Sequence, residues 1–392
     1  MAEEKIIELR EQDMIDIIWG ATLMGAGGGG SISSGIKLME SYKERHPGEE
    51  LLVKMIDASD MKVGEYASAT AGMGAPAAIV GVDFSEYAAN AANLLKEIAE
   101  RDGKNLKYNF PVELGGFSIF FPLLLSLNTG AYTIDADGAG RAVPALETLL
   151  LNVNGCPTSP LGLANGNNDR ISVELADPYN APLAEKIGRD ICGEFGNMVG
   201  ISGWLVNKDD IMNKICTGTI TLCRQIGEVL RTSPDADTDM FEALKKKGLI
   251  NAKVICKGTV DDIKTDTHGG FDYGTLTVTD DVSRTQYYIQ FQNENLLLQR
   301  REKGSDVITN LMTVPDMTCV YCIDPAGAEG VVPRMPLSNA DVKKGMKIAV
   351  AAVKVSEKWF QSPNWWDVWA ECMKNIGYEG ENLPYENVPV SE

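Results

Sequence analysis

Asp135 and Asp137 stand two residues apart in Thr133-Ile134-Asp135-Ala136-Asp137-Gly138-Ala139-Gly140-Arg141, where an apolar stretch runs into a glycine-rich turn. On an extended backbone such a pair shares one face. The two carboxylates are then placed to hold a divalent metal together or to divide acid and base roles. A metal-bound water at such a pair reaches a useful pKa near neutrality. Arg141 is placed to bind an anionic group through its paired N–H donors or to depress the carboxylate pKa values. The same residues read equally as an Asx-type turn closed by a structural ion pair.

The second dense patch is Gly25-Ala26-Gly27-Gly28-Gly29-Gly30-Ser31. Ordered glycines lose more backbone entropy than any other residue, so such a run belongs where the chain needs positive φ or another group must approach closely. It can also aim several N–H groups at one anion, and a flexible loop is the alternative. No Gly-Lys-Ser/Thr follows and no strand clearly precedes, so neither the phosphate loop nor the dinucleotide fingerprint applies.

Three further groups are candidates. Glu113, beside Gly115-Gly116, is an acid or metal ligand at a loop lip, or else a surface glutamate before a turn. His268, in Thr267-His268-Gly269-Gly270-Phe271, is the one histidine in a glycine context; it is structural or exposed unless it reaches an interdomain cleft. Asn293, Glu294 and Asn295 close a strand-like stretch with groups that bind a polar ligand or satisfy a turn.

With only His46 and His268 as histidines, any zinc or iron must rest mainly on carboxylate or thiolate. The eight cysteines are scattered, and reduced thiols are expected. Cys319 and Cys322 form a C-x-x-C pair inside a strand-like stretch, where positions three apart face opposite ways. No second pair follows at zinc-ribbon spacing, so the two read as strand filling.

At 392 residues, 44% hydrophobic and 23% charged, the chain reads as a globular protein of two or three domains. Its formal net charge of -19 opposes nucleic-acid backbones and anionic membranes as partners. A local nest still leaves room for a small anionic substrate. The start, Met1-Ala2-Glu3-Glu4-Lys5, lacks the basic and apolar regions of a secretory signal. The apolar stretch from Phe117 to Leu127 is interrupted by Pro122 and too short to span a bilayer. A cytoplasmic protein is the expectation.

Residues 6–19 carry helical spacing and feed the glycine run. Glu50–Ile56 is strand-like, Met73–Val80 reads as strand and turn, and Ser85–Arg101 as a helix. Val112–Leu127 and Ala131–Ile134 supply buried elements, Val143–Leu151 looks helical, and Asp209–Arg231 is a helical stretch ending in an acidic turn. This alternation favours an α/β layered domain. From Ala252 to Val332 the segments are short, β-branched and evenly punctuated, as in a small antiparallel barrel or sandwich. Val342–Val355 reads as a strand returning to the first domain, and a tail holding Trp359, Trp365, Trp366 and Trp369 as packed.

In chain order, the glycine run, Met73-Gly74-Ala75-Pro76, Glu113-Leu114-Gly115-Gly116 and Asp135 to Leu146 with its Gly140-Arg141-Ala142-Val143-Pro144 core are followed by Gly269-Gly270-Phe271 and Asn293-Glu294-Asn295-Leu296. Together they resemble the S-methyl thiohydantoin desulfurase domain family, once catalogued as a domain of unknown function, from about Trp19 to about Val353. The resemblance implies a three-layer αβα N-terminal domain plus a small all-β barrel-like domain. The boundaries expected here are residues 1–245, completed by 340–392, and residues 250–335. It implies hydrolytic removal of sulfur from a thiohydantoin ring, as in breakdown of the histidine betaine ergothioneine, with a divalent metal, zinc being the candidate ion. Association with hydantoinase- or oxoprolinase-type proteins makes other cyclic ureides and lactams candidate substrates. The tryptophan-rich tail and the Cys319–Cys322 pair depart from the family pattern.

The leading reading is a hydrolase of a five-membered cyclic amide or thioamide. Asp135 and Asp137 bind the metal or activate water, and the N–H groups of Gly27, Gly28, Gly29, Gly30 and Ser31 meet the developing anion or a substrate carboxylate. Arg141 orients that carboxylate, Glu113 and His268 move protons, and Asn293 and Glu294 touch the ligand. The alternative is a non-catalytic binding or assembly subunit of a hydantoinase/oxoprolinase-type enzyme. A third reading is a metal-independent isomerase or racemase working through carboxylate pairs. A homo-oligomer is expected.

Overall fold

The computed structural model describes residues 5–74, 84–233 and 238–389. Residues 75–80 of the expected strand and turn, and the acidic turn at 234–237, lie outside these. The chain opens with β1 (Ile6–Leu9), α1 (Glu11–Met24), α2 (Ile32–Arg45), β2 (Val53–Asp57) and β3 (Glu65–Gly74). There follow α3 (Phe84–Arg101), β4 (Asn105–Pro111), α4 (Phe120–Thr129), β5 (Tyr132–Asp137) and α5 (Leu150–Val153). Next come β6 (Leu161–Ala164), β7 (Arg170–Val173), α6 (Ala181–Glu194), β8 (Met198–Asn207), α7 (Lys208–Lys214), β9 (Cys216–Thr217), α8 (Thr219–Thr232) and α9 (Met240–Lys246).

These strands build one sheet in the order β1-β2-β5-β4-β3-β8-β6-β7, with β9 paired to β5. Its centre, β2-β5-β4-β3, is parallel, and β1 and β8 join antiparallel. A parallel sheet is covered on both faces, which explains the near-continuous apolar runs. On β3, Gly72 faces Phe121 of α4, whereas the next residue, Met73, faces Gly188 of α6. Successive strand residues point opposite ways, so helices cover both faces and the αβα layering holds.

The second sheet comprises β10 (Ala252–His268), β11 (Phe271–Asp280), β12 (Gln286–Gln292), β13 (Glu294–Arg301), β14 (Thr309–Thr313), β15 (Met317–Asp324) and β16 (Lys347–Val353). It is wholly antiparallel, in the order β14-β13-β12-β11-β10-β16-β15, and curls into a half-barrel. Irregularities in β10 at Val254/Cys256 and Val260/Asp262 supply the bend. The chain ends with α10 (Trp365–Lys374) and short turns. One continuous hydrophobic core runs through both sheets.

Several expectations change. Ile6–Leu9 pair with β2 as an edge strand, so the helix begins only at Glu11. Val143–Leu151 is not a helix: Pro144 leads into a 3-10 turn, Leu146–Thr148, before the one-turn α5. Asp209–Arg231 is broken at Cys216–Thr217, which pair with β5, and at Gly218, whose φ is 76°. Residues 347–353 do not return to the first sheet; β16 lies between β10 and β15, where its apolar residues are buried. The tail is packed as expected, with Trp359 and Trp369 fully buried and their rings 5.6 Å apart. Among the described residues no helix is long and apolar enough to cross a membrane.

Candidate functional site

The glycine run is an ordered crossing between two helices. After α1 the chain turns through positive φ at Ala26, Gly27, Gly29 and Gly30 and enters α2, where Ser31 Oγ accepts from Ser34 N at 3.1 Å. Its carbonyls are taken from two directions. Gly29 O accepts from Phe117 N and Ser118 N, and Gly30 O from Gly116 N, which seats the Glu113–Gly116 turn on the run. Ala26 O accepts from Asn295 N and Gly27 O from Asn339 N, both at 2.8 Å, which seats the second sheet on the other side. Close approach explains the composition at two positions. A Cβ on Gly28 would strike the Glu294 carboxyl, and one on Gly29 would strike Leu114 O and Gly115 Cα.

Arg141 locks this junction. It is fully buried, and its Nε donates to Ala142 O at 2.8 Å, its Nη1 to Pro315 O at 2.7 Å and Asp316 O at 3.2 Å, and its Nη2 to Asn295 O at 3.2 Å. The guanidinium therefore rivets the β5 turn to the second sheet and is not free to orient a substrate carboxylate, a correction to its expected role. Trp359 Nε1 braces the same turn by donating to Ala139 O at 2.9 Å, and the Trp369 ring lies 5.5 Å from the Arg141 guanidinium carbon.

Carboxyl groups gather around this rivet. Glu113 accepts from Ser118 Oγ and Val143 N, each at 2.8 Å. Burial raises it to about 7, helped by the Asp137 charge and opposed by Val143, Ser118 and Arg141. Glu294, only 2% exposed, is driven well above the usual carboxylate range by burial and by Glu113; Arg141 and the Gly29 N–H oppose this. Asp137 caps its own turn, accepting from Ala139 N at 2.9 Å and Gly140 N at 2.6 Å, while burial pushes it up to about 7. Glu113 keeps partial solvent exposure while Glu294, Asp137 and Arg141 do not, so the cluster is reached from the Glu113 side. Two surface clefts, one between α8 and α9 and one along β10–β12, lie apart from it.

Two family models match in tandem. The S-Me-THD-like N-terminal domain covers residues 12–174 and the S-Me-THD-like C-terminal domain covers residues 179–369. The chain belongs to the S-Me-THD-like family. The match ends at Trp369, so Trp359, Trp365, Trp366 and Trp369 fall inside the family pattern rather than outside it. An X-ray structure of a protein from Chromobacterium violaceum is similar in fold, with a TM-score of 0.80 at 23% identity, covering 97% of this chain and 100% of that one. No curated protein matches the sequence.

In this S-Me-THD-like protein the motifs converge unequally. Gly27 to Gly30, Glu113, Asp137, Arg141 and Glu294 meet at one junction. Asn293 lies at the β12–β13 turn, φ 55°, and accepts from Asp272 N, so it serves the turn. Ser31 caps α2. His268 stands apart: it is 61% exposed at the β10–β11 tip, stacked on Tyr273 and 3.2 Å from Asp266. Asp135 is committed to α8, accepting from Ile220 N at 2.9 Å, Thr221 N at 3.1 Å and Thr221 Oγ1 at 2.5 Å. With both Asp135 oxygens so engaged, the Asp135–Asp137 pair does not fit a shared divalent ion. Among the described residues no three His, Cys, Asp or Glu side chains are grouped to hold one. Cys319 and Cys322 are both buried on β15, and burial raises both thiols, to about 12 and about 11. Sequence spacing gave no signal for Glu147, Asn339 or Trp369, which reach the junction only through the tertiary fold.

Proposed function

We propose that the protein is a hydrolase that displaces sulfur from a thiohydantoin-like five-membered ring, with Glu113 and Glu294 as the proton-transferring groups. The observation that carries this reading is the meeting of the Glu-x-Gly-Gly turn, the glycine run and the Asn-Glu-Asn turn at one junction, where Glu113 and Glu294 bring two buried carboxyl groups beside Gly28 and Gly29. Membership of the S-Me-THD-like family supports a desulfurase-type reaction.

In the proposed step the oxygen of a water molecule bonds to the ring carbon that carries sulfur, and the C–S bond breaks. The water loses a proton to one carboxylate, and the other carboxyl delivers a proton to the departing sulfur. The remaining hydroxyl proton moves to the adjacent ring nitrogen, so that the products are a ring carbonyl beside an N–H and a thiol. A carboxyl that titrates near the working pH, as Glu113 does, is suited to the first task, and one that burial raises well above the usual carboxylate range, as it does Glu294, to the second. The donor set at Asp135 and Asp137 does not support a metal there, so no step is routed through one.

The test is release of small-molecule thiol from an S-methyl thiohydantoin by the full chain, with metal analysis of the same sample. Thiol release by the wild type is expected, falling about 100-fold or more in Glu113→Gln and unchanged in His268→Ala. No release from thiohydantoins or hydantoins, with and without added zinc, overturns the hydrolase reading and leaves the binding or assembly subunit of a hydantoinase/oxoprolinase-type enzyme.

A further inference from the structure

Glu113 and Asp137 each accept two hydrogen bonds, whereas Glu294 Oε2 has no partner among the described residues. Glu294 is 2% exposed, so solvent does not orient it either. Native interiors rarely leave such an oxygen unpaired, and it calls for an explanation. The N–H groups that face this carboxyl are those of Gly29 and of Glu294 itself. Its place therefore depends on how the β12–β13 turn is held against the glycine run.

One side chain holds them together. Asn339 lies on the connection between β15 and β16, and its Nδ2 donates to Asn293 O at 2.8 Å and to Asn295 Oδ1 at 3.0 Å. These two acceptors flank Glu294 on either side. The Asn339 backbone N–H goes to Gly27 O at 2.8 Å, so the same residue ties both flanks to the glycine run. The composition of the run agrees. A Cβ on Gly27 would come within 2.6 Å of Asn339 Nδ2 and 2.8 Å of Asn295 Oδ1, as one on Gly28 would strike Glu294. Asn339 is itself presented by a closed turn. Asp341 accepts there from Ser338 N at 3.0 Å and from Ser338 Oγ at 2.7 Å, and returns its own N–H to Ser338 O.

We infer that Asn339 is a positioning residue, which fixes the Glu294 carboxyl against the glycine run so that its proton is delivered at one place. An amide is needed for this. Asn293 offers a carbonyl, and Asn295 has already given its own Nδ2 to Thr318 O at 2.8 Å, so both partners of Asn339 act as acceptors. Asparagine supplies two donors from one atom; serine has one, and ionised aspartate and alanine have none. The inference rests on the hydrolase reading for the use of the proton but not for the placement of the carboxyl.

The test compares the full chain with Asn339→Ala, Asn339→Ser and Asn339→Asp. The titration of Glu294, which faces Glu113, Arg141 and Cys372, is followed by the infrared C=O stretch of the protonated acid. The band lost in Glu294→Gln assigns it. In Asn339→Ala the carboxyl leaves its dry place, and its midpoint is expected to fall by about one pH unit or more. For thiol release, kcat is expected to fall about 10- to 100-fold, with KM changed by less than about twofold. Asn339→Ser falls between, and Asn339→Asp, whose oxygens face two acceptors, is no better than alanine. A residue that only stabilises the fold would lower the melting temperature and leave midpoint and kcat alone. A wild-type midpoint in folded Asn339→Ala overturns the inference, or in Asn339→Ser should the alanine chain not fold. So does a moved midpoint with wild-type kcat. Absence of thiol release from the wild type sinks the hydrolase reading alone, and the infrared midpoint then decides the positioning role by itself.

Discussion

Asp137→Asn tests the electrostatics of the junction with a single isosteric change. In the folded chain Asp137 titrates at about 7 because burial disfavours its charge, whereas its ordinary value is 3.8. A carboxyl raised in the folded state binds more protons there than in the unfolded chain. Its contribution to stability is complete below 3.8 and is lost as pH rises through about 7. Between pH 5 and pH 8, integrating the proton difference removes about 2.5 kcal/mol from the wild type. The asparagine does not titrate, and its Oδ1 still accepts from Ala139 and Gly140. Its amide nitrogen replaces an oxygen that has no partner and lies toward the equally unpartnered Thr219 hydroxyl. Glu113 titrates in both chains and cancels to first order. Urea unfolding at pH 5, 6, 7 and 8, followed by tryptophan fluorescence, should therefore show the variant gaining about 2.5 kcal/mol on the wild type across the range. A difference that stays flat with pH would refute the raised titration of Asp137 and, with it, the dry environment inferred for the junction.

Gly28→Ala drives a methyl group into the Glu294 carboxyl and should cost about 1–3 kcal/mol with loss of thiol release; shortening the partner in Gly28→Ala/Glu294→Asp should restore part of the stability, seen in thermal melts. Arg141→Lys keeps the charge but cannot reach four carbonyls spread over both sheets, so a loss of about 3–5 kcal/mol is expected, larger than for Asp135→Asn, which weakens only the α8 start by about 1 kcal/mol; equal denaturation midpoints would contradict the rivet. All eight cysteines are buried, so maleimide labelling at neutral pH should modify none in the native chain and eight after denaturation.

Local signals revealed the motifs but not their partners. The glycine run, the Glu-x-Gly-Gly turn, Asp-x-Asp and Asn-Glu-Asn stand out because glycine and turn chemistry mark places where backbones approach. The layered first domain and the antiparallel second sheet were likewise readable from alternating apolar segments. Arg141 was misread because its acceptors, Pro315 O and Asp316 O, belong to a distant part of the chain and backbone carbonyls leave no mark in side-chain patterns. β13 does not stand out because Asn293-Glu294-Asn295 reads as the close of the preceding strand, although Glu294 begins a new one. β6 and β8 were missed because Gly162, Gly200 and Gly203 dilute their β pattern, yet two of these glycines let α3 pack close, at Ala91 and Tyr87. Ile6–Leu9 is too short for periodicity to separate strand from helix.

The bonds from Ala26 to Asn295 and from Gly27 to Asn339 also set an order of events during synthesis. The crossing leaves the ribosome among the earliest segments, yet two of its carbonyl partners emerge last. At about 5–20 residues per second, the interval is on the order of 15–60 s. Once β9 has emerged the first sheet has every strand it needs, while the junction still lacks Glu294 and the distant carbonyls of Asn295, Pro315 and Asp316 that hold Arg141. A chain ending near residue 245 therefore carries every strand of the first sheet and still lacks the site. Competence arrives with the late segments, and the N-terminal glycines wait for them.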